Sequence, residues 1–196
     1  MRNRGLAAFA CLAVVAAADL ILSRKRPPWI VVGFFDEPAH LATAGVALAN
    51  LRPRSREWVL GFMAGAVLPD LDHVPLAVSR VHPSVDDPRP VTHCLLAVSP
   101  LFAVAGIQKP GPAREAVAGA AAGTLAHFAR DLAVGTGVPL LQPLSERNLR
   151  VPYPLYLAGL AALAVRATRN LGISAVKIRA FEVDKITNKP APGAGL

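Results

Sequence analysis

Six long apolar stretches, separated by short links rich in arginine, proline and glycine, dominate this chain of 196 residues. They run 5–22, 29–50, 58–78, 92–107, 113–134 and 151–165. A helix needs about 20 apolar residues to cross the hydrocarbon of a bilayer. A soluble domain carries about a quarter charged residues, whereas here 17% are charged and 53% are hydrophobic. The pattern predicts an integral membrane protein of the all-α class, a polytopic bundle of about five to six transmembrane helices.

The first stretch lies between Arg4 and the basic run Arg24-Lys25-Arg26. Ala16-Ala17-Ala18 resembles a signal-peptide cleavage site, but the apolar run continues to Leu22, which favours a retained anchor over residues 1–26. Residues 27–170 form the expected membrane-embedded domain, and residues 171–196 a polar, basic, partly disordered cytoplasmic tail. Pro38 interrupts the second stretch. A regular helix is therefore expected from near Glu37, with residues 29–35 as an interfacial or re-entrant lead-in. Gly61 and Gly65 in the third stretch, and Gly119 and Gly123 in the fifth, are each four apart. Small residues at that spacing let two helix backbones approach, so these two spans can be neighbours. Cys11 and Cys94 lack a metal or disulfide spacing and read as small buried apolar residues.

With six alternating spans, one side of the membrane collects 13 of the 21 lysines and arginines and the other collects 8. The richer side, holding both termini, is expected in the cytoplasm. The net charge of +8 fits anionic lipid headgroups. Its distribution in short groups between apolar runs argues against nucleic acid as a partner.

The most informative residues break the apolar rule. Asp36, Glu37 and His40 lie in the second stretch, Asp70, Asp72 and His73 in the third, His93 at the start of the fourth, and His127 and Asp131 in the fifth. An ionisable group near the bilayer centre costs a few kcal/mol, so it normally faces a partner, a cavity or a metal. In the expected topology all four groups fall in the outer half of the membrane. His127 and Asp131 are four apart and share a helix face. Asp36 or Glu37 can likewise stand beside His40. Asp70 and Asp72 are two apart, which a regular helix would splay, but Pro69 can loosen the backbone enough to turn both inward. Histidine with carboxylate suits zinc, manganese or iron, and a carboxylate beside a metal-bound histidine can fix its tautomer. The bland reading is that such groups cap helices or snorkel to the headgroups, and Asp19, near the end of the first stretch, is read that way. His82 reads as a solvated loop residue. Arg89 and Arg130 read either as interfacial anchors or as binders of an anionic substrate.

The stretches Glu37-Pro-Ala-His40, Gly65-Ala-Val-Leu-Pro-Asp-Leu-Asp-His73, Arg89-Pro-Val-Thr-His93, Gly123-Thr-Leu-Ala-His-Phe-Ala-Arg-Asp131 and Gly137-Val-Pro-Leu-Leu-Gln-Pro143 follow one another across residues 37–143. In this order they resemble the YdjM-like family of membrane-bound metal-dependent hydrolases of bacterial inner membranes. The resemblance implies metal-ligand or catalytic roles for His40, Asp70, Asp72, His73, His93, His127 and Asp131. It departs at Pro88, where the family usually has a histidine five residues before the one matched by His93.

The expectation is a membrane-embedded hydrolase using a divalent metal, zinc first, with manganese or iron as alternatives. His40, Asp72, His127 and Asp131 are the expected direct ligands, and His73 and His93 complete that set or a second site. Asp70 or Glu37 is the general base. Arg89 or Arg130 would neutralise a phosphoester, and a lipid or lipid-linked substrate suits the location. The alternative is an ion or metal transporter built on the same ligands. The inner halves of the spans are almost all Ala, Val, Leu and Gly, which favours a one-sided site.

Overall fold

Apolar length decides where most helices form. In the computed structural model, which describes residues 3–25, 29–52, 54–73, 89–90 and 92–169, six α-helices are found among the described residues. They are α1 (Asn3–Lys25), α2 (Trp29–Asn50), α3 (Arg56–Gly65), α4 (Leu95–Ile107), α5 (Pro112–Asp131) and α6 (residues 153–169). A 3₁₀ turn, Leu68–Asp72, follows α3. The described residues contain no named strand, only an isolated antiparallel bridge between Val138 and Leu149.

Two expectations change. α2 is continuous from Trp29 to Asn50 with Pro38 inside it, so there is no separate lead-in. Proline removes one intrahelical hydrogen bond, but within a packed apolar bundle the helix carries through. The third stretch does not form one long helix. Ser55 caps α3 by accepting from Trp58 N–H at 3.1 Å. The helix then gives way after Gly65 to the 3₁₀ turn that Pro69 opens. The expected remainder of that span, to residue 78, and the readings of His82, Pro88 and the tail lie outside the described residues.

α5 is the central element, packed on α2, α3, α4 and the 3₁₀ turn, while α1 packs on α2. The α3–α5 contact is built from the glycines. A Cβ at Gly61 or Gly65 would overlap the carbonyls of Ala116 and Ala120, and one at Gly119 or Gly123 those of Trp58 and Phe62. The two Gly-x-x-x-Gly faces therefore interlock reciprocally, and every larger residue would push the helices apart. α6 closes the other side. Its Tyr156 and Leu160 join Val15, Ala42, Val46 and Ala133 in one apolar cluster, and Ala164 and Ala167 pack with Ala8. Between α5 and α6 the chain turns at Gly137 (φ 84°), where a left-handed backbone and close approach to Leu149 both require glycine.

Among the described residues one helix is long and apolar enough to cross a membrane, Arg4–Ser23 within α1. α4 is shorter but carries no charge, and it buries only Val98 and Ala105, leaving Leu95, Leu96, Phe102 and Ile107 exposed. Cys94 is buried at its N-terminus and Cys11 packs half-buried against the Val15 cluster, both as free thiols.

Candidate metal centre

The break after α3 and the central position of α5 create the site. α5 delivers His127, Arg130 and Asp131 on its last turns, α2 delivers Asp36 and His40, and the 3₁₀ turn delivers Asp70, Asp72 and His73. His73 caps that turn three residues after Asp70, and its Nδ1 lies 3.5 Å from Asp70 Oδ1. His93 enters just before α4, held by its own N–H to Pro90 O (2.9 Å), while the next turn is tied down by Leu95 N–H to Leu140 O (3.0 Å). The four groups that the sequence separates by up to 95 positions thus meet in one place. His40, His93, His127, Arg130 and Asp131 are all 0% exposed.

His127 fixes the chemistry. Its Nδ1 lies 2.9 Å from Ala66 O, an acceptor only, so Nδ1 carries the proton and donates it. That leaves Nε2 of the neutral ring with a bare lone pair. Nε2 points at Asp131 Oδ2 (3.1 Å), His93 Nε2 (3.3 Å) and Asp70 Oδ1 (3.6 Å). His93 is set up the same way. Asp72 Oδ2 lies 3.4 Å from its Nδ1, and Thr92 Oγ1 donates to that same Asp72 oxygen. A carboxylate on one ring nitrogen keeps the proton there and frees the other nitrogen for a metal. His93 Nε2 lies 3.4 Å from Asp70 Oδ1 and 3.5 Å from Asp131 Oδ2.

Four acceptor atoms, Asp70 Oδ1, His93 Nε2, His127 Nε2 and Asp131 Oδ2, therefore converge with lone pairs facing one another. Five of their separations run from 3.1 to 3.6 Å. A tetrahedron with metal–ligand bonds of about 2.0–2.1 Å has edges of about 3.3–3.4 Å. The donor set thus fits a small divalent cation. Asp131 Oδ2 is buried without a hydrogen-bond partner, as such a ligand would be. A second triplet, Asp36, His40 and Asp70, also converges within ligand spacing.

Other predicted residues stand around this core. Asp72 accepts from Thr92 and sits against His73 Nδ1 (2.8 Å) and His93 Nδ1, which makes it an orienting carboxylate for both rings. His73 is turned to Asp72 and Asp70 and keeps 25% of its side chain exposed. Glu37 is partly buried, with Oε2 lacking a hydrogen-bond partner. Arg89 donates from Nη2 to Asp131 Oδ1 at 2.8 Å.

Arg130 has a different setting. Its Nε and Nη2 donate to Asp36 Oδ1 (3.1 and 2.6 Å), and Nη2 and Nη1 donate to Asp19 (2.7 and 3.3 Å). Tyr153 Oη donates to the same Asp19 at 2.8 Å. Asp19 is thus neither a cap nor a snorkelling group, and Arg130 is enclosed by carboxylates from α1 and α2. Sequence reasoning passed over this network, although an acid inside the first apolar stretch was its signal. It left open whether Asp36 or Glu37 pairs with His40. Asp36, one full turn before His40, is the residue that faces both His40 Nε2 (3.8 Å) and Arg130.

No curated protein and no solved structure matches the chain. A family model described as YdjM inner membrane protein matches residues 38–182, well over half of the sequence and every donor of the four-atom cluster. The chain belongs to the YdjM inner membrane protein family.

Proposed function

We propose that this chain is a multi-pass inner-membrane hydrolase dependent on a divalent metal, zinc in the first instance, held by Asp70, His93, His127 and Asp131. The observation that carries the reading is the convergence of two bare imidazole nitrogens and two carboxylate oxygens at tetrahedral spacing with no proton donor among them. A metal bound there would polarise a substrate oxygen and make a water nucleophilic near neutral pH. Ala66 O and Asp72 hold the tautomers of His127 and His93. Glu37 is the general base, because its Oε2 is buried without a hydrogen-bond partner and the residue stands on α2 one turn before His40. Asp70, the other base candidate, is engaged among the metal donors. Arg89 is the group for an anionic substrate: it hydrogen-bonds one carboxylate, Asp131, and keeps part of its side chain exposed, whereas Arg130 is fully buried between Asp19 and Asp36. Location in the membrane favours a lipid or lipid-linked phosphoester.

Multi-pass insertion is supported by α4, whose uncharged surface is exposed, and by outward Leu6, Phe9, Phe34, Leu60 and Leu155 on other helices. The distribution of basic residues supports cytoplasmic termini. The test is hydrolysis of a panel of ester and phosphoester lipids by the full chain in sealed proteoliposomes, run beside metal uptake. Metal-dependent hydrolysis that disappears in Glu37→Gln, with no uptake, supports the reading. Metal uptake without hydrolysis of any panel member contradicts it in favour of transport.

A further inference from the structure

We propose that the cluster holds two divalent cations bridged by Asp70 and Asp131, a proposal that rests on the metal-centre reading and deepens it. The first ion uses one oxygen of each aspartate, Asp70 Oδ1 and Asp131 Oδ2. The other oxygen of each is turned to His40, and Asp131 Oδ1 also accepts from Arg89 Nη2 at 2.8 Å, which leaves it a second lone pair. Asp131 Oδ1 lies 3.4 Å and Asp70 Oδ2 3.6 Å from His40 Nε2. Asp36 Oδ2 adds a third carboxylate oxygen at 3.8 Å from the same nitrogen.

His40 is the independent observation. It is 0% exposed, and neither of its ring nitrogens has a hydrogen-bond partner. A buried imidazole with both nitrogens orphaned costs free energy unless something binds it. Three carboxylate oxygens aimed at Nε2 make a cation the fitting occupant. The His40 and His127 rings stack at 3.9 Å between centroids, which sets the imidazole of α2 directly against that of α5. That ring separation is comparable with the spacing of about 3.5–4 Å between ions in two-metal hydrolytic sites.

Charge points the same way. Among the described residues, the five carboxylates Asp19, Asp36, Asp70, Asp72 and Asp131 stand against two permanent cations, Arg89 and Arg130. With neutral histidines the excess is three negative charges, more than one divalent ion compensates. Arg130 serves this arrangement by binding Oδ1 of Asp36, which leaves Oδ2 directed to the second position.

The test is manganese titration of the full chain in detergent, read by elemental analysis and by electron paramagnetic resonance. The expected result is two manganese ions per chain, with an exchange-coupled spectrum replacing the six-line signal of an isolated ion. His40→Ala should bind one and restore the six-line signal. A wild type that saturates at one uncoupled ion, or takes up two that remain uncoupled, overturns the proposal while leaving the single-metal centre standing. A folded wild type that binds none overturns both. The wild-type titration decides the matter by itself if His40→Ala does not fold.

Discussion

Two buried polar groups lie back to back in this molecule and are built on opposite principles. Around Arg130, donors and acceptors match: a guanidinium meets Asp19 and Asp36, and Tyr153 fills a further acceptor position on Asp19. Around His127, acceptors meet acceptors: Asp70, Asp131 and two bare imidazole nitrogens face one another. Both sit on the last turns of α5, and Asp36 links the clamp to the neighbouring His40 triplet. The first network is complete as a piece of protein. On the proposed reading the second is completed by a cation, and that difference separates a structural clamp from a candidate metal centre.

The sharpest way to break the comparison is to remove the clamp's cation. Arg130→Met leaves Asp19 and Asp36 without their shared cation, and should destabilise the fold by about 3–5 kcal/mol, read as denaturant unfolding in detergent. Stability equal to wild type would show that Arg130 is no clamp. The centre should respond to metal where the clamp does not. Zinc at a thousandfold its dissociation constant should raise wild-type stability by about 4 kcal/mol, and His127→Ala should cancel that rise. A smaller effect is expected one step out from the donors. Asp72→Asn keeps the shape but weakens the hold on His93 and His73, and should lower metal affinity about 10–100-fold, measured by competition with a chelating dye. The smallest effect belongs to the clamp's periphery. Thr43 Oγ1 donates to Ala39 O (2.8 Å) and so accepts from Tyr156 Oη (2.6 Å). Thr43→Val should cost about 1 kcal/mol and leave metal content unchanged.

The two regions were unequally legible in the sequence. The centre announced itself because each donor group breaks a long apolar run, and ionisable residues there need a reason. The glycine pairs 61/65 and 119/123 also marked the α3–α5 contact, since spacing alone aligns them on one face. The clamp was hidden because Asp19 and Arg130 are 111 residues apart and each has a sufficient local explanation as an interfacial group. The proton on His127 was hidden for another reason. Its acceptor is the Ala66 carbonyl, made available by the end of α3, and only the interruption of the third stretch after Gly65 puts that carbonyl there. Pro38 misled because its cost is real in isolation, yet α2 is held by packing on both sides of it. Family membership follows from the match over residues 38–182, whereas α1, which supplies Asp19 to the clamp, lies outside that match.

The central claim is that the acceptor cluster exists to hold a metal. Elemental analysis of detergent-purified, folded wild type beside His127→Ala tests it most directly. The account predicts at least one equivalent of zinc or manganese per wild-type chain and its loss in the variant. A well-folded wild type with no bound metal, even after zinc or manganese is supplied, would contradict it.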